Sequence, residues 1–381
     1  MKPFDVYPIY DIEPIRGENN YIWDNKGNKY LDFYGGHAVI SIGHSNPHFL
    51  NRINRQMQKM VFYSNAVINN LQVELAERLG AIAGIPDYQL FLCNSGAEAN
   101  ENAIKLASFQ TGKKKIISFS KGFHGRTSMA VAVTDNPKII APVNETENAI
   151  ILPFNDEAAL EKAFESGDIA AVIIEGIQGI GGIYLPTQSF MDKIKSLCEA
   201  NGALLIADAV QCGCGRSGKY YSHDYYNLKA DIYTMAKGIG NGFPVGAIAI
   251  SPDIEAKYGM LGSTFGGNQL ACVAALAVIE VMEEQNLIEN AKNTGDYLME
   301  QLKQVDGVKE VRGRGLMIGV ELEGPIKGIR NSLLFDHKIF TGSASNPNVL
   351  RLLPSLTIGK KESDIFLEAF TNVLSNKELT V

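Results

Sequence analysis

Lys237 ends the apolar run Asp231-Ile-Tyr-Thr-Met-Ala-Lys237 and precedes the glycine turn Gly238-Ile-Gly-Asn-Gly242. A lysine at such a strand end is poised for burial, which lowers its pKa and suits Schiff-base chemistry. Asp208 ends another apolar run, Ala203-Leu-Leu-Ile-Ala-Asp208, one strand–connection–strand unit earlier. A carboxylate at the C-terminal end of a parallel strand faces the crevice where α/β sheets bind ligands. A third element is Asn94-Ser-Gly-Ala-Glu98, between the run Tyr88–Cys93 and a helical stretch Glu98–Gln110. Ser95-x-x-Glu98 has capping-box spacing, and Gly96 leaves room for an anion to approach the first-turn amides.

A lysine, a carboxylate and an anion cup together fit pyridoxal 5'-phosphate, which also needs an apolar or aromatic clamp on its ring. Phe123, in Gly122-Phe-His-Gly-Arg-Thr127, and Val210, two residues after Asp208 and thus on the same strand face, are the clamp candidates. Two other glycine motifs do not hold up. Gly213-Cys-Gly-Arg-Ser-Gly218 matches G-x-G-x-x-G and, with Lys219, nearly a P-loop, but Tyr220-Tyr-Ser-His-Asp-Tyr-Tyr follows it instead of a helix former or a magnesium-binding hydroxyl. Cys212-x-Cys214 lacks both the gap and the second pair of a zinc site, so no metal is expected.

The elements that must carry these groups alternate. Apolar runs at Lys115–Phe119, Ala149–Leu152, Ala170–Ile174, Ile232–Met235 and Ala247–Ile250 are separated by helical stretches such as Glu157–Glu165 and Met191–Asn201. This pattern indicates a largely parallel α/β sheet. Upstream, Tyr21-Ile-Trp and Lys29-Tyr-Leu-Asp-Phe flank a turn, and residues 47–60 and 69–84 read as helices. Downstream, helices at Gln269–Glu284 and Ile288–Gln304, strand-like Val308–Val311 and Leu316–Leu322, an irregular segment and a last helix at Glu362–Leu374 suggest a smaller α+β unit. The expected division is residues 1–46 packing with the small domain, 47–284 as the large cofactor-binding domain and 285–381 as the small one.

Composition excludes several classes. The 381 residues carry a net charge of −7 with 45% hydrophobic and 20% charged residues, an ordinary globular balance. A nucleic-acid binder would need clustered cations; the short run Lys113–Lys115 reads as a solvated loop. The first residues show no secretory apolar core, no apolar stretch is long enough to cross a membrane, and five cysteines are an odd number. A cytoplasmic location with reduced thiols is the expectation.

From Tyr30-Leu-Asp-Phe33 and Gly43-His44 to Arg351-Leu-Leu-Pro354, these motifs occur in an order and at a spacing that resemble the class-III pyridoxal-phosphate aminotransferases, in particular their acetylornithine/succinylornithine branch. The resemblance implies the fold-type-I, aspartate-aminotransferase-like fold and a homodimer with active sites at the subunit interface. It also implies residue roles. Lys237 would carry the Schiff base and shuttle the proton, and Asp208 would hold the pyridine nitrogen protonated. Ser95, Gly96 and Ala97 would cup the phosphate, Phe123 and Val210 would sandwich the ring, and Gln211 would reach its phenolic oxygen. Thr264, in Gly262-Ser-Thr-Phe-Gly-Gly-Asn268, would touch the phosphate from the partner subunit. Arg126 would hold the donor's distal carboxylate and Arg351 the α-carboxylate of 2-oxoglutarate or glutamate, with His37 facing the substrate.

The implied reaction moves the δ-amino group of N2-acetylornithine or N2-succinylornithine to 2-oxoglutarate in arginine biosynthesis. Ornithine or another ω-amino acid as donor, a same-fold aminomutase, and a binding protein without activity are the alternatives. The sequence departs from the family pattern at Ala209, at Leu261 and at Ile180, where a glutamate in many members pairs with the arginine matching Arg351. With Ile180 there, Arg351 stays available or another residue masks it.

Overall fold

The computed structural model describes residues 1–375. Near the N-terminus, strands β1 (Pro14–Glu18), β2 (Tyr21–Asp24) and β3 (Lys29–Asp32) form an antiparallel meander. The sheet that carries the site follows: β4 (Gln89–Cys93), β5 (Lys115–Phe119), β6 (Ala149–Leu152), β7 (Ile169–Glu175), β8 (Leu204–Asp208), β9 (Ile232–Met235) and β10 (Gly246–Ile250). Its order is β4-β10-β9-β8-β7-β5-β6. Strands β5 to β9 run parallel, whereas β10 is antiparallel to both β4 and β9. The apolar run of β10 did not disclose its direction, because a strand buried on both faces reads the same either way.

Helices cover both faces, and side chains alternate between them. Ala171, Ile173 and Ile206 pack with Ala103 and Ile104 of helix Gly96–Thr111, while Val172, Ile174 and Leu205 pack with Phe190 and Ile194 of helix Gln188–Asn201. Register places Glu175 opposite Asp208 and Asp208 opposite Thr234. Three neighbouring strands therefore end at one level, and that edge holds the site.

Helix Gln269–Glu284 is buried along nearly its whole length and precedes helix Leu287–Leu302. Beyond them, β11 (Val308–Arg314), β12 (Met317–Leu322), β13 (Ile339–Phe340), β14 (Gly342–Ser343) and β15 (Val349–Leu352) complete the strands. The order β11-β12-β15-β14 makes a second sheet, and β13 joins β3 in parallel to close a third, β1-β2-β3-β13. Helices Lys327–Phe335 and Lys360–Ser375 accompany them. Phe33 stacks on Phe366 at 4.5 Å, so the first strands and the last helix share a core.

Some expectations need correction. β1 lies where no element was assigned, and helix Lys327–Phe335 lies in the segment read as irregular. Lys113–Lys115 is not simply a solvated loop: Lys115 opens β5, and Lys113 Nζ donates to the Asn201 carbonyl. The Gly213–Gly218 loop is structural. Arg216 is buried there and its Nη1 donates to the carbonyls of Leu316 (3.1 Å) and Pro354 (2.7 Å), tying the large sheet's loop to the C-terminal sheet.

Candidate active site

The floor of the site is a buried charge cluster. One Asp208 oxygen accepts from His124 Nδ1 and from Asn100 Nδ2, both at 2.8 Å; the other accepts from the Val210 amide at 3.0 Å. Burial alone would raise the Asp208 pKa. His124, the Val210 N–H and the positive charge of Lys237 outweigh it and hold the carboxyl below its usual range. Burial likewise opposes charge on His124, but Asp208 wins and raises its pKa. Beside them Glu175 accepts from the Phe123 amide (3.0 Å) and the Gly179 amide (2.9 Å). Burial pushes Glu175 up to about 7, with His124 countering and Asp208 adding.

The anion cup forms where β4 gives way to helix Gly96–Thr111. Ser95 caps the helix, its hydroxyl oxygen accepting from the Glu98 amide at 3.1 Å. Glu98 reaches back beyond the cap, to the amide and side chain of Asn94 at 2.9 Å. The first-turn amides of Gly96 and Ala97 have no acceptor within the helix and are free for an anion. Gly96 is required sterically: a Cβ there would lie 2.6 Å from Val210 Cγ1. Val210 lines the cavity, though not because it shares a strand face with Asp208. β8 ends at Asp208, and Val210 sits in the turn beyond.

These parts meet in one cavity of about 600 Å³, lined also by Phe123, Arg126, His37, Tyr7, Ile180 and Lys237. Lys237 has φ +50°, a left-handed conformation, and its Nζ has no hydrogen-bond partner among the described residues. Burial lowers its pKa, Asp208 and Glu175 partly restore it, and Arg351 lowers it further. Arg126 is exposed at the mouth and makes no ion pair among the described residues. His37 lies in a left-handed turn, Gly35–Ala38, whose φ values are 55°, 57°, 69° and 64°. Its Nε2 lies 2.8 Å from the Tyr34 hydroxyl. Partial burial and the positive charges of Arg351, Lys237 and Arg330 lower its pKa. Thr264 is exposed and does not line this chain's cavity.

Arg351 is set back from the cavity. It is 2% exposed; its Nε donates to the Ser343 carbonyl (2.5 Å) and its Nη1 to Gln211 Oε1 (3.2 Å). Gln211 Nε2 in turn donates to the His37 carbonyl at 3.1 Å. Both ends of the Gln211 amide are engaged in the protein, and its side chain lines the cavity. Three residues of the floor went unassigned in the sequence reading: His124, Asn100 and Glu175. His124 stands inside the quoted motif Gly122–Thr127, and Glu175 ends the most apolar strand; Asn100 carries no local signal.

The site can be tested for pyridoxal 5'-phosphate on its own atoms. It offers an ionised buried carboxylate, an unpaired lysine, free helix-start amides, and a floor where Asn100 Oδ1 lacks any partner. Phe123 and Val210 supply apolar walls. The residues fit the group.

Comparison with known proteins agrees. The family model described as aminotransferase class-III matches residues 5–374. The acetylornithine aminotransferase of Archaeoglobus fulgidus is 41% identical over 360 residues, 94% of each chain. That of Bacillus subtilis is 39% identical over 365 residues, again 94% of each. A structure of the ornithine aminotransferase from Toxoplasma gondii, described with partial occupancy of PLP at its active site, superposes with a TM-score of 0.91 at 27% identity, covering 98% of this chain and 92% of that one.

Proposed function

This chain belongs to the class-III aminotransferases, and from that premise we propose that it transfers the δ-amino group of an N2-acylornithine, chiefly N2-acetylornithine, to 2-oxoglutarate. The products are the N-acyl-glutamate 5-semialdehyde and glutamate, a step of arginine biosynthesis. Pyridoxal 5'-phosphate is the cofactor; when bound, it supplies a carbonyl carbon that condenses with amines and a ring that accepts an electron pair. Lys237 Nζ, whose pKa burial lowers, would move the proton between the donor's δ-carbon and C4′ of the cofactor. Asp208, ionised against His124, holds a proton at the ring nitrogen. Ser95, Gly96 and Ala97 hold the phosphate, and Phe123 and Val210 flank the ring. Arg126 pairs with the donor's carboxylate, which suits its planar fork, and His37 borders the substrate.

One observation carries the choice of donor. The carboxylates lining the cavity are Glu175 and Asp208; both are bonded in the floor, and Asp208 would also face the cofactor's ring nitrogen. The α-ammonium of free ornithine would meet no counter-charge there, and a desolvated charge without a partner is costly. An acylated nitrogen carries no such charge. The identities of 41% and 39% to two acetylornithine aminotransferases over nearly the whole chain support the same reading.

We read the chain as a cytoplasmic homodimer whose sites lie at the subunit interface. Among the described residues, no helix is long and apolar enough to cross a membrane. Exposed Met60, Val61, Phe62, Tyr63 and Ile68, with Phe265 beside Phe62 at 5.3 Å, make an apolar surface suited to a second copy. Thr264 adjoins it and would reach the partner's phosphate cup. The pairing of β3 with β13 supports packing of residues 1–46 with a small domain, 285–381, beside the large domain, 47–284.

With 2-oxoglutarate as acceptor, kcat/KM for N-acetylornithine should exceed that for ornithine by roughly a hundredfold or more. A preference for ornithine would overturn the donor; turnover without any keto acid would instead indicate a mutase. N-Succinylornithine in the same series ranks the two acyl groups.

A further inference from the structure

Arg351 and the cavity are separated by one side chain. Gln211 lines the cavity while Arg351 does not, and the two are joined by the 3.2 Å bond from Nη1 to Oε1. The amide is held from its other end by the His37 carbonyl. Its place is cut out of the neighbouring turn: a Cβ on Gly179 would lie 1.8 Å from Gln211 Oε1 and 2.8 Å from its Cδ. The next residue, Ile180, has no charge to offer, and its backbone carbonyl already accepts from the Ser345 amide at 2.8 Å. Behind Arg351, the only other acceptor bonded to its guanidinium among the described residues is the Ser343 carbonyl.

We propose that Gln211 is a neutral gate over Arg351, closed by bonds to Arg351 and the His37 carbonyl and opened when a carboxylate of the amino acceptor takes the amide's place on the guanidinium. The proposal rests on Arg351 being the acceptor's carboxylate site. The physical argument is a difference in acceptors. A neutral carbonyl oxygen gives the guanidinium one ordinary hydrogen bond, whereas a carboxylate gives two charge-assisted ones. A carboxylate-bearing ligand therefore displaces the amide. A ligand presenting an apolar or neutral group leaves it shut, because opening would strand a buried guanidinium. A glutamate gate would form an ion pair with Arg351, and a carboxylate ligand would have to break it. The amide lets this enzyme bind its acceptor against a weaker lock, while Arg351 stays satisfied when the donor occupies the cavity.

The gate is tested by calorimetric binding of glutarate, a dicarboxylate that carries neither amine nor keto group and so cannot react, to the cofactor-loaded enzyme. Gln211→Ala removes the lock, and Gly179→Ala evicts the amide while leaving Gln211 in the sequence. Gly179 does not require positive φ, so its backbone tolerates alanine. Both variants should tighten glutarate several-fold. Gln211→Glu should weaken it about tenfold, the sense expected of an ionic lock. Arg351→Gln, the control for the carboxylate site itself, should weaken it by more than any of these. A merely structural role for Gln211 would shift the alanine and glutamate variants in the same direction. If Arg351→Gln weakens binding while the Gln211 and Gly179 variants leave it unchanged or all weaken it, the gate is wrong and the carboxylate site stands. If Arg351→Gln leaves the affinity unchanged, the carboxylate site fails and the gate with it.

Discussion

The floor and the mouth of the cavity are built on opposite principles. In the floor, Asp208, His124 and Glu175 are buried, and each charged atom has partners fixed by strand register and helix placement. Elsewhere in the cavity, Lys237 Nζ and, at the mouth, the Arg126 guanidinium have none among the described residues. Paired groups cannot take part in new bonds without loss, whereas unpaired ones wait for a ligand. In the proposed function the floor fixes protonation states in advance, and the unpaired groups do the binding and the proton transfer. Arg351 stands between the two, buried like the floor yet held by a single neutral side chain on its cavity side.

Substitutions can break this contrast at graded cost. Lys237→Ala should have the largest effect on activity: a loss of at least about ten-thousand-fold in kcat with the fold intact by circular dichroism, since nothing pairs with the amine. Asp208→Asn attacks the floor and should act on both activity and stability. It removes the carboxylate bonded to buried His124, at a cost of up to about 3–5 kcal/mol measured by denaturant unfolding. Arg126→Lys, at the mouth, should raise KM for the acylated donor about tenfold, leave kcat within a few-fold, and not change stability.

The smallest effect is a pH dependence. Glu175 ionises at about 4.5 when unfolded and near 7 when buried. The native state therefore keeps a proton that the unfolded chain releases, and this group's contribution to stability falls as pH rises from 4.5 to 7, then levels off. Glu175→Gln removes the titration. The melting temperature of the wild type relative to this variant should decline across that window. A constant difference would mean that Glu175 is already ionised in the fold.

Much of this was legible in the chain. Apolar runs bounded by glycine and charge mark the strands because sheet burial on both faces leaves a continuous signal. Lys237, Asp208 and Ser95–Ala97 stand at element ends, where chemistry and sequence punctuation coincide. What escaped depends on contacts between distant segments. Asn100 sits mid-helix and meets Asp208 only because the helix lies over the sheet. The bond from Gln211 to Arg351 joins residues 140 positions apart. The left-handed turn Gly35–Ala38 had a local sign in its two glycines, but His37 and Ala38 adopt the same conformation without one. Val210 lines the cavity, but not by the strand alternation expected of it, since the strand period does not extend past Asp208.

The contrast between a committed floor and the unpaired groups comes to a point at Lys237. Reducing the cofactor-loaded enzyme with borohydride, digesting it and mapping the added mass tests this most directly. The account predicts the pyridoxyl group on Lys237 and on no other lysine. Label on a different lysine, or none on Lys237 in fully loaded protein, would contradict it.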